Sequence, residues 1–597
     1  MASWYHKYEY VFITALILIL FIASYGAWNG DYKDTDNFTR AIRILDFIGS
    51  GTWKETLFIH SNYPFGEILH WTRPMDILWL LISSPLMLFM PLKDAVYYGG
   101  AVFSPVIGLV SSLVLVWGLR PYFGPVLRGL AVGLLLSQYS LLQIFFWGRP
   151  DHHSVMALLT VTEIALFLRY FAFKDDRTIA AAGFFAGISV WIAIEGLFLG
   201  YGFLAFLLIF WVLKGKGILE ARLFGASMFM AIFAGWLINP PLTGYFFLDN
   251  GRLSVLIVLL SGFTYLALIA LSQVKFAKSL QRGGTLILTA AVALGLLIWK
   301  VGIDALIAQP ISPEIQEVWS WRVSELMSAF YNPVMASEYI LVPLIAGGIL
   351  LWFALRQKVS ILWLLFMGIP LGVFFLLSCF SIRFAMYAGI FSIFPVILFA
   401  RLKLLQSQVY ENPKAKIPDS VMAVMLCVFI GPLFFATVLQ WTELIIKRDF
   451  NFNKPEIVSD FKDLEPFLSN RKGAVLTDTF LGPEVMWKTN RPVIGTPYHR
   501  NVMGILDTHR MFFSEDMREV KKLLLKHRVT DIYLPANYKN DKRYMKKPEE
   551  NTAKLYGKIM TGKDLPNWLT PVPEALTEDG GFFLYRVDRH KLRKSRY

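Results

Sequence analysis

Residues 197–213, with the sequence LFLGYGFLAFLLIFWVL, form an apolar run without a charged side chain. Such a run is typical of a helix that crosses a lipid bilayer, which needs about 17–25 mostly apolar residues. The composition agrees, because 55% of the 597 residues are apolar and only 17% are charged, whereas soluble proteins carry about 25% charged residues. We therefore predict a polytopic α-helical membrane protein and exclude a disordered, collagenous or ordinary cytosolic protein.

Apolar runs of spanning length recur through the first 440 residues. Besides 197–213, we predict spans near residues 10–28, 97–118, 128–146, 154–173, 178–195, 223–239, 253–273, 284–301, 339–355, 360–378, 384–400 and 419–440. The total is about 13 spans, judged by the length that a bilayer core requires. Residues 77–92 are short and contain Pro85 and Pro91, so we predict a re-entrant or interfacial helix there.

The basic residues indicate which loops face the cytoplasm. If residues 77–92 do not span, alternate loops carry Arg120 and Arg128; Lys174 and Arg177; Lys214, Lys216 and Arg222; Lys275, Lys278 and Arg282; Arg356 and Lys358; Arg401, Lys403, Lys414 and Lys416. The positive-inside rule then places the N-terminus in the cytoplasm and the C-terminal domain outside. Part of the net charge of +14 thus lies in the inner loops, and about +8 of it lies in residues 441–597 on the outer side. Neither share indicates a nucleic-acid partner.

The topology divides the chain into two predicted domains. Residues 1–440 form a transmembrane domain with external loops at 29–96 and 302–338, and residues 441–597 form an extracytoplasmic soluble domain. In the soluble domain, alternating patterns predict strands at 474–476, 492–495, 531–534 and 582–587 and a helix at 517–526. This pattern is typical of a mixed α/β domain.

Two polar clusters lie on the outer side. Asp31-Tyr-Lys-Asp34-Thr-Asp36-Asn37 follows the first span, where carboxylates can meet a lipid head group, although a solvated loop entry is the alternative. Trp147-Gly-Arg149-Pro-Asp151-His152-His153 follows the third span. Asp151 and His153 can point one oxygen and one nitrogen at a single Mg²⁺ or Mn²⁺ ion. Alternatively, Asp151 caps the following helix.

Four further charged residues lie at or within the predicted spans. Glu338 ends the long outer loop, where it could simply mark the membrane boundary. Glu163 and Glu195 interrupt apolar runs, and because acids inside a membrane are costly, they are candidates for function or for buried pairing. Arg383 opens a late span, where it could hold a phosphate or carboxylate or extend to the lipid head groups.

The order of these motifs resembles the catalytic subunit of oligosaccharyltransferases, a family with the GT-C fold. The first-loop segment 34–40 is similar to the family stretch with its catalytic Asp, and Asp151-His-His153 to the D-x-H variant of archaeal members. Met335-Ala-Ser-Glu338 is similar to the T-I-x-E or S-V-x-E segment, and Ile382-Arg383-Phe384 to the V-R-F segment. The resemblance covers roughly the first 440 residues.

The resemblance implies transfer of a sugar or oligosaccharide from a polyprenyl (pyro)phosphate carrier to an acceptor at the outer membrane face. It implies Asp34, Asp151 and His153 as ligands of Mg²⁺ or Mn²⁺. Asp34 or Asp36 would be the general base, and Glu338 would bind the metal or orient the acceptor. We expect the protein in a bacterial or archaeal cell (inner) membrane. At the outer membrane face, the candidates for substrate binding are Arg383, Arg149, His152 and Glu195.

The C-terminal domain departs from the family, because the W-W-D-Y-G signature that binds the acceptor sequon is absent. Its place is taken by residues 475–487, followed by Thr496-Pro-Tyr498-His499-Arg500-Asn501. Tyr498, His499 and Arg500 are therefore candidates for a different acceptor-recognition loop. The acceptor stays open between a protein, a lipid and a polysaccharide. A transporter or flippase of lipid-linked glycans is the rival function, and Glu163 in mid-span is the residue that favours it.

Overall fold

The computed structural model describes residues 2–25, 28, 30–307, 311–409, 461–469, 471–535, 553–573 and 582–595. These residues form two compact units. The helical unit is the described part of Met1–Gly30, Trp71–Ala308 and Ser324–Phe450. The sheet unit is the described part of Asp31–His70, Gln309–Val323 and Asn451–Tyr597. The predicted domain boundary near residue 440 and the predicted span at 419–440 lie outside the described residues.

The helical unit consists of α-helices and a few 3₁₀ turns. Its α-helices are Ala2–Tyr25, Arg73–Ser83, Leu92–Leu119, Pro125–Ser137, Tyr139–Leu142, His152–Phe173, Asp176–Ile192, Gly196–Lys214, Ile218–Ile238, Val255–Gln273, Ser279–Val301, Ile303–Ile307, Pro333–Tyr339, Leu341–Leu355, Ile361–Phe380 and Ala385–Val409. Single 3₁₀ turns lie at Leu86–Leu88, Gln143–Phe145, Ser324–Leu326 and Ile382–Phe384.

Eight helices among the described residues are long and apolar enough to cross a membrane, and ten if each of two bent pairs is one span. The bent pairs are Pro125–Ser137 with Tyr139–Phe145, at 72°, and Pro333–Tyr339 with Leu341–Leu355, at 55°. A helix lies at each predicted span position up to residue 400. The helices are those of a multi-pass membrane protein, while the total of about 13 spans stays a prediction.

The proline-containing segment at 77–92 is broken into short pieces. Helix Arg73–Ser83 is followed by the 3₁₀ turn Leu86–Leu88. At about 1.5 Å per residue, the longer piece reaches only some 16 Å, about half the thickness of a bilayer core. Neither piece is long enough to span.

Helices Leu92–Leu119 and His152–Phe173 pack unusually closely because a glycine faces an alanine between them. A Cβ atom added at Gly118 would lie 2.4 Å from the Cβ of Ala165. Any larger residue at Gly118 would force the two helices apart, which is the usual reason for small residues between membrane helices. This contact fixes helix His152–Phe173, whose first turn carries His152 and His153.

The sheet unit is built on four strands. They are β1 (Ala474–Leu476), β2 (Val529–Pro535), β3 (Leu569–Pro571) and β4 (Phe582–Val587). Their order is β1-β2-β4-β3, with β1 parallel to β2 and the other pairs antiparallel. The predicted mixed α/β organisation is therefore confirmed for these residues, including the strands at 474–476, 531–534 and 582–587.

The predicted strand at 492–495 is not present. Val493 makes a single parallel bridge with Val475, and Pro492 has no N–H to donate to a ladder. The predicted helix Met517–Lys526 is present with the same bounds. The α-helices of the unit are Thr35–Ser50, Pro313–Trp319, Phe461–Leu468, Gly482–Thr489, Val502–Phe513, Met517–Lys526, Leu555–Thr561 and Arg589–Lys594, with a 3₁₀ turn at Ser320–Arg322.

Segments of the two long predicted outer loops pack inside the sheet unit. In the first loop, the Asn62 N–H donates to the Ile494 carbonyl at 3.0 Å, and the His60 carbonyl accepts from the Val493 N–H at 2.9 Å. In the second loop, Trp319 Nε1 donates to the Pro497 carbonyl at 2.8 Å. The sheet unit thus combines three parts of the chain that are far apart in sequence.

Candidate metal and substrate site

The loop that carries the D-x-H pair is held by backbone and serine hydrogen bonds. The Gly148 N–H donates to the Ala101 carbonyl at 2.9 Å, and Ser104 Oγ donates to the Arg149 carbonyl at 2.5 Å. Ser154 Oγ donates to the Asp151 carbonyl at 2.8 Å. Neighbouring helix turns therefore fix the backbone on both sides of Asp151.

Asp151 occupies the N-cap position of helix His152–Phe173, but its side chain makes no capping hydrogen bond. One carboxylate oxygen lies 2.5 Å from His152 Nδ1, and the other lies 3.9 Å from His153 Nε2. One potential ligand atom from each of the three residues lies within 4.8 Å of the others. The carboxylate therefore faces two imidazoles, as the metal-binding interpretation expects.

His153 is buried among three carboxylates. Besides Asp151, its Nε2 lies 3.5 Å from Glu325 Oε2, and its Nδ1 lies 3.5 Å from Glu195 Oε1. The side chain is only 3% exposed. Because Nε2 faces two carboxylates, it either carries a hydrogen, as in its hydrogen bond to Glu325, or shares a cation with them.

Glu325 joins this cluster, although no role was predicted for it from sequence. It lies in the turn Ser324–Leu326, and its carbonyl accepts from Ser381 Oγ at 2.7 Å. Its carboxylate also lies 3.8 Å from Arg149 Nη2. Burial raises the pKa of Glu325, but the charge and hydrogen bond of His153, aided by Arg383, outweigh this and lower it to about 2.

A signal for Glu325 was present in the sequence. Arg322-Val-Ser-Glu325 contains the V-x-E part of the S-V-x-E pattern and lies in the same outer loop as Glu338. The structure places Glu338 in the short helix Pro333–Tyr339, while His153 contacts Glu325. The role assigned to Glu338 stays a prediction.

Arg383 and Glu195 form a buried ion pair beside His153. Arg383 Nε lies 3.1 Å from Glu195 Oε2, and Tyr387 Oη donates to Glu195 Oε1 at 3.0 Å. Glu195 is 4% exposed. The structure thus brings together the predicted residues Arg149, Asp151, His152, His153, Glu195 and Arg383, joined by Glu325.

Glu163 lies deeper in helix His152–Phe173. It is fully buried, and its Oε1 accepts from Ser189 Oγ at 3.0 Å. One oxygen of this mid-span acid, the residue that favours a transporter, therefore has a hydroxyl partner.

The other predicted site residues belong to the sheet unit. Asp34 Oδ1 accepts from the Asp36 N–H at 3.3 Å, which caps helix Thr35–Ser50. Tyr498 is buried, and burial together with the negative charge of Asp36 raises its pKa well above the usual value. The ring of His499 lies 5.0 Å from that of His70, and Arg500 is half-buried. Asp36 and Tyr498 are therefore neighbours, while their predicted roles remain untested.

The donor set around His153 fits a divalent cation. Asp151 and Glu325 offer carboxylate oxygens and His153 offers Nε2, a combination suited to Mg²⁺, Mn²⁺ or Zn²⁺. Three carboxylates face two guanidinium groups in the cluster. The carboxylates thus exceed the guanidinium groups by one negative charge, which either a proton on His153 or a bound cation balances.

Comparison with known proteins identifies the fold. No protein-family model and no curated protein sequence matches the chain. Among solved structures, the archaeal oligosaccharyltransferase AglB of Archaeoglobus fulgidus, with an inhibitory peptide and a dolichol-phosphate, matches 89% of this chain and 70% of its own, with a TM-score of 0.67 and 14% identity. The chain has the oligosaccharyltransferase fold. The GT-C resemblance predicted from the motifs is thus confirmed at the level of the fold.

Two further structures of the Archaeoglobus fulgidus oligosaccharyltransferase are similar to this chain. One is tethered to an acceptor peptide containing the NVT sequon and matches 97% of this chain and 74% of its own, with a TM-score of 0.67 and 14% identity. The other is a complex with Zn and sulfate and matches 88% of this chain and 68% of its own, with a TM-score of 0.59 and 14% identity.

Proposed function

We propose that this protein is a membrane glycosyltransferase that moves a sugar or oligosaccharide from a polyprenyl (pyro)phosphate carrier to an acceptor at the outer membrane face. The observation that carries the proposal is the buried cluster of Asp151, His153 and Glu325, flanked by Arg149 and Arg383, within an oligosaccharyltransferase fold. The dolichol-phosphate in the Archaeoglobus complex supports a lipid-linked donor.

The physical problem in this reaction is the negative charge that develops on the leaving phosphate. Asp151, His153 and Glu325 would hold Mg²⁺ or Mn²⁺, with Asp34 as our further candidate ligand from the sequence. The metal, when bound, would supply Lewis-acid stabilisation of the leaving group.

The two arginines have a separate task in this proposal. Arg149 and Arg383 pair with Glu325 and Glu195 at 3.8 and 3.1 Å, and both side chains are partly exposed. A guanidinium group binds phosphate or carboxylate through two parallel N–H donors. We propose that the arginines orient the carrier phosphate or an acceptor carboxylate, while Asp34 or Asp36 accepts the proton of the incoming nucleophile.

The acceptor stays open in the proposal, because the segment that replaces W-W-D-Y-G has its own internal contacts. Arg322 donates to both oxygens of Asp478, at 2.8 and 3.0 Å, and lies over the Phe480 ring at 4.1 Å. The tethered peptide of the Archaeoglobus enzyme favours a protein acceptor. The absent signature keeps a lipid or polysaccharide acceptor as the alternative.

The test is release of polyprenyl (pyro)phosphate from a labelled lipid-linked sugar in vesicles that contain the full chain. We expect Asp151→Ala and His153→Ala to lower the rate at least about 100-fold. Each variant removes a proposed ligand of the metal, and the metal would stabilise the leaving group directly. EDTA should abolish release, and added Mn²⁺ should restore it. Asp478→Ala, which removes a carboxylate of the sheet unit, is the matched control. With water as the acceptor, this variant should hydrolyse the lipid-linked sugar at an unchanged rate. Full activity of both variants with EDTA present would refute the proposal.

A further inference from the structure

Glu195 lies at the centre of the contacts around His153, although it was predicted to bind substrate. It occupies the turn between helices Asp176–Ile192 and Gly196–Lys214. One oxygen, Oε1, accepts from Tyr387 Oη at 3.0 Å and lies 3.5 Å from His153 Nδ1. The other oxygen, Oε2, lies 3.1 Å from Arg383 Nε. Both oxygens therefore have protein partners.

The burial of Glu195 argues against direct contact with substrate. The residue is only 4% exposed, compared with 31% for the Arg383 side chain. A substrate that reaches the cluster would meet the partly exposed Arg383 before it met Glu195, and His153 is as buried as Glu195 itself. The carboxylate acts on the site through these two neighbours.

The position of Glu195 relative to the imidazole decides which ring nitrogen carries the proton. A carboxylate is only an acceptor, so a ring nitrogen that faces one carries a hydrogen unless a cation lies between them. Both ring nitrogens face carboxylates, so with the hydrogen on Nδ1, towards Glu195, a bound cation takes the lone pair of Nε2. That nitrogen faces Asp151 at 3.9 Å and Glu325 at 3.5 Å, so the lone pair points towards the other candidate ligands.

We propose that Glu195 is a positioning residue, which holds His153 in the Nδ1–H tautomer with Nε2 directed at the divalent cation and holds Arg383 beside it. The inference rests on the metal site of the proposed function. A carboxylate behind a ligating histidine commonly fixes the tautomer and the ring orientation and raises the basicity of the ligand. The Tyr387 hydroxyl orients the carboxylate in turn.

The test measures binding of Mn²⁺ alone to the full chain in detergent, from the free-ion signal in electron paramagnetic resonance. We expect Glu195→Gln to weaken Mn²⁺ binding by about 10–100-fold, the usual cost of losing such a partner. Tyr387→Phe is the matched control, because it removes one hydrogen bond to the same oxygen but keeps the carboxylate. It should change the affinity less than about 3-fold.

A double-mutant cycle separates positioning through His153 from a general structural role. In a His153→Ala background, Glu195→Gln should weaken Mn²⁺ binding no further, because its effect passes through the missing imidazole. An equal loss in both backgrounds would overturn the inference. If Glu195→Gln does not fold, as judged by thermal unfolding, Glu195→Asp keeps the charge and should show a smaller loss with the same non-additivity.

The outcomes also separate this inference from the proposed function. Asp151→Ala defines the Mn²⁺ signal of the site itself. If the wild-type chain and Asp151→Ala bind Mn²⁺ equally, the metal part of the proposed function fails and this inference fails with it. If Asp151→Ala abolishes a site that Glu195→Gln leaves unchanged, the inference alone is wrong and the metal site stands.

Discussion

Asp531 in the sheet unit and Asp151 in the helical unit are both buried carboxylates, but their surroundings differ. Asp531 meets three arginines: Arg491 at 2.9 Å, Arg471 at 3.3 Å and Arg586 through a short contact. Asp151 instead shares its cluster with two further carboxylates, and it contacts His152 at 2.5 Å and His153 at 3.9 Å. A carboxylate neutralised by arginines stabilises a fold, whereas a cluster with an excess of carboxylates has charge that a bound cation can balance.

The largest expected effect on stability is at Asp531. Burial raises the pKa of its carboxyl group, but the hydrogen bonds of Arg586 and Arg491 outweigh this and lower it. Asp531→Asn should reduce the free energy of unfolding by about 3–5 kcal/mol, because it leaves the buried Arg491 without its counter-charge. Thermal unfolding of the full chain, followed by proteolysis of the C-terminal part, measures the loss.

Arg471→Ala is the control for that experiment. It removes a partly exposed partner of the same carboxylate, 44% exposed, and should cost less than about 1 kcal/mol. If Asp531→Asn were no more destabilising than Arg471→Ala, the arginine cluster would not be what stabilises this part of the sheet unit.

The next largest effect concerns Glu67, a buried acid of the sheet unit whose hydrogen bonds come from hydroxyl groups. Ser61 and Thr496 donate to its carboxylate. Burial raises its pKa from 4.5 to about 7, although the two hydroxyls lower it in part. Its partners are hydroxyl groups, whereas Asp531 meets three arginines and Asp151 meets two imidazoles.

The raised pKa of Glu67 predicts a stability that falls as pH rises. Below pH 4.5 the group is protonated in both the folded and unfolded states, and between 4.5 and about 7 only the unfolded state ionises. The free energy of unfolding should therefore fall by about 3 kcal/mol across this range. Glu67→Gln should abolish that fall in thermal unfolding at pH 5 and pH 8, whereas Glu465→Gln, at an exposed site of the same unit, should not. An unchanged pH profile in Glu67→Gln would contradict the burial of a neutral acid.

The smallest expected effect on stability is at Asp151 itself. Asp151→Asn removes one charge from a cluster in which carboxylates outnumber guanidinium groups, so the free energy of unfolding should change by less than about 1 kcal/mol or rise slightly. Transfer activity should still fall at least about 100-fold. Thermal unfolding and the vesicle assay on the same preparation measure both. A loss of stability as large as that of Asp531→Asn would make Asp151 a structural residue.

Much of the site could be predicted from sequence because its residues lie in local patterns. Asp151, His152 and His153 are consecutive, and the following helix brings them to one end of a span. Glu325 and Glu195 were harder to assign, since they reach His153 from 172 and 42 positions away in the chain. An acid at the end of a loop looks the same in sequence whether it faces His153, as Glu325 does, or lies in a neighbouring helix, as Glu338 does.

The sequence by itself determined the elements that depend on local chemistry. Apolar runs partition into a bilayer wherever they lie in the chain, and alternating patterns predicted three of the four strands. The tertiary structure decided which distant residues share a site, because burial and pairing depend on contacts between helices. It gave Glu195 two partners and a place behind His153, and it brought parts of both long outer loops into the sheet unit. Those contacts change a predicted substrate-binding acid into a proposed positioning residue.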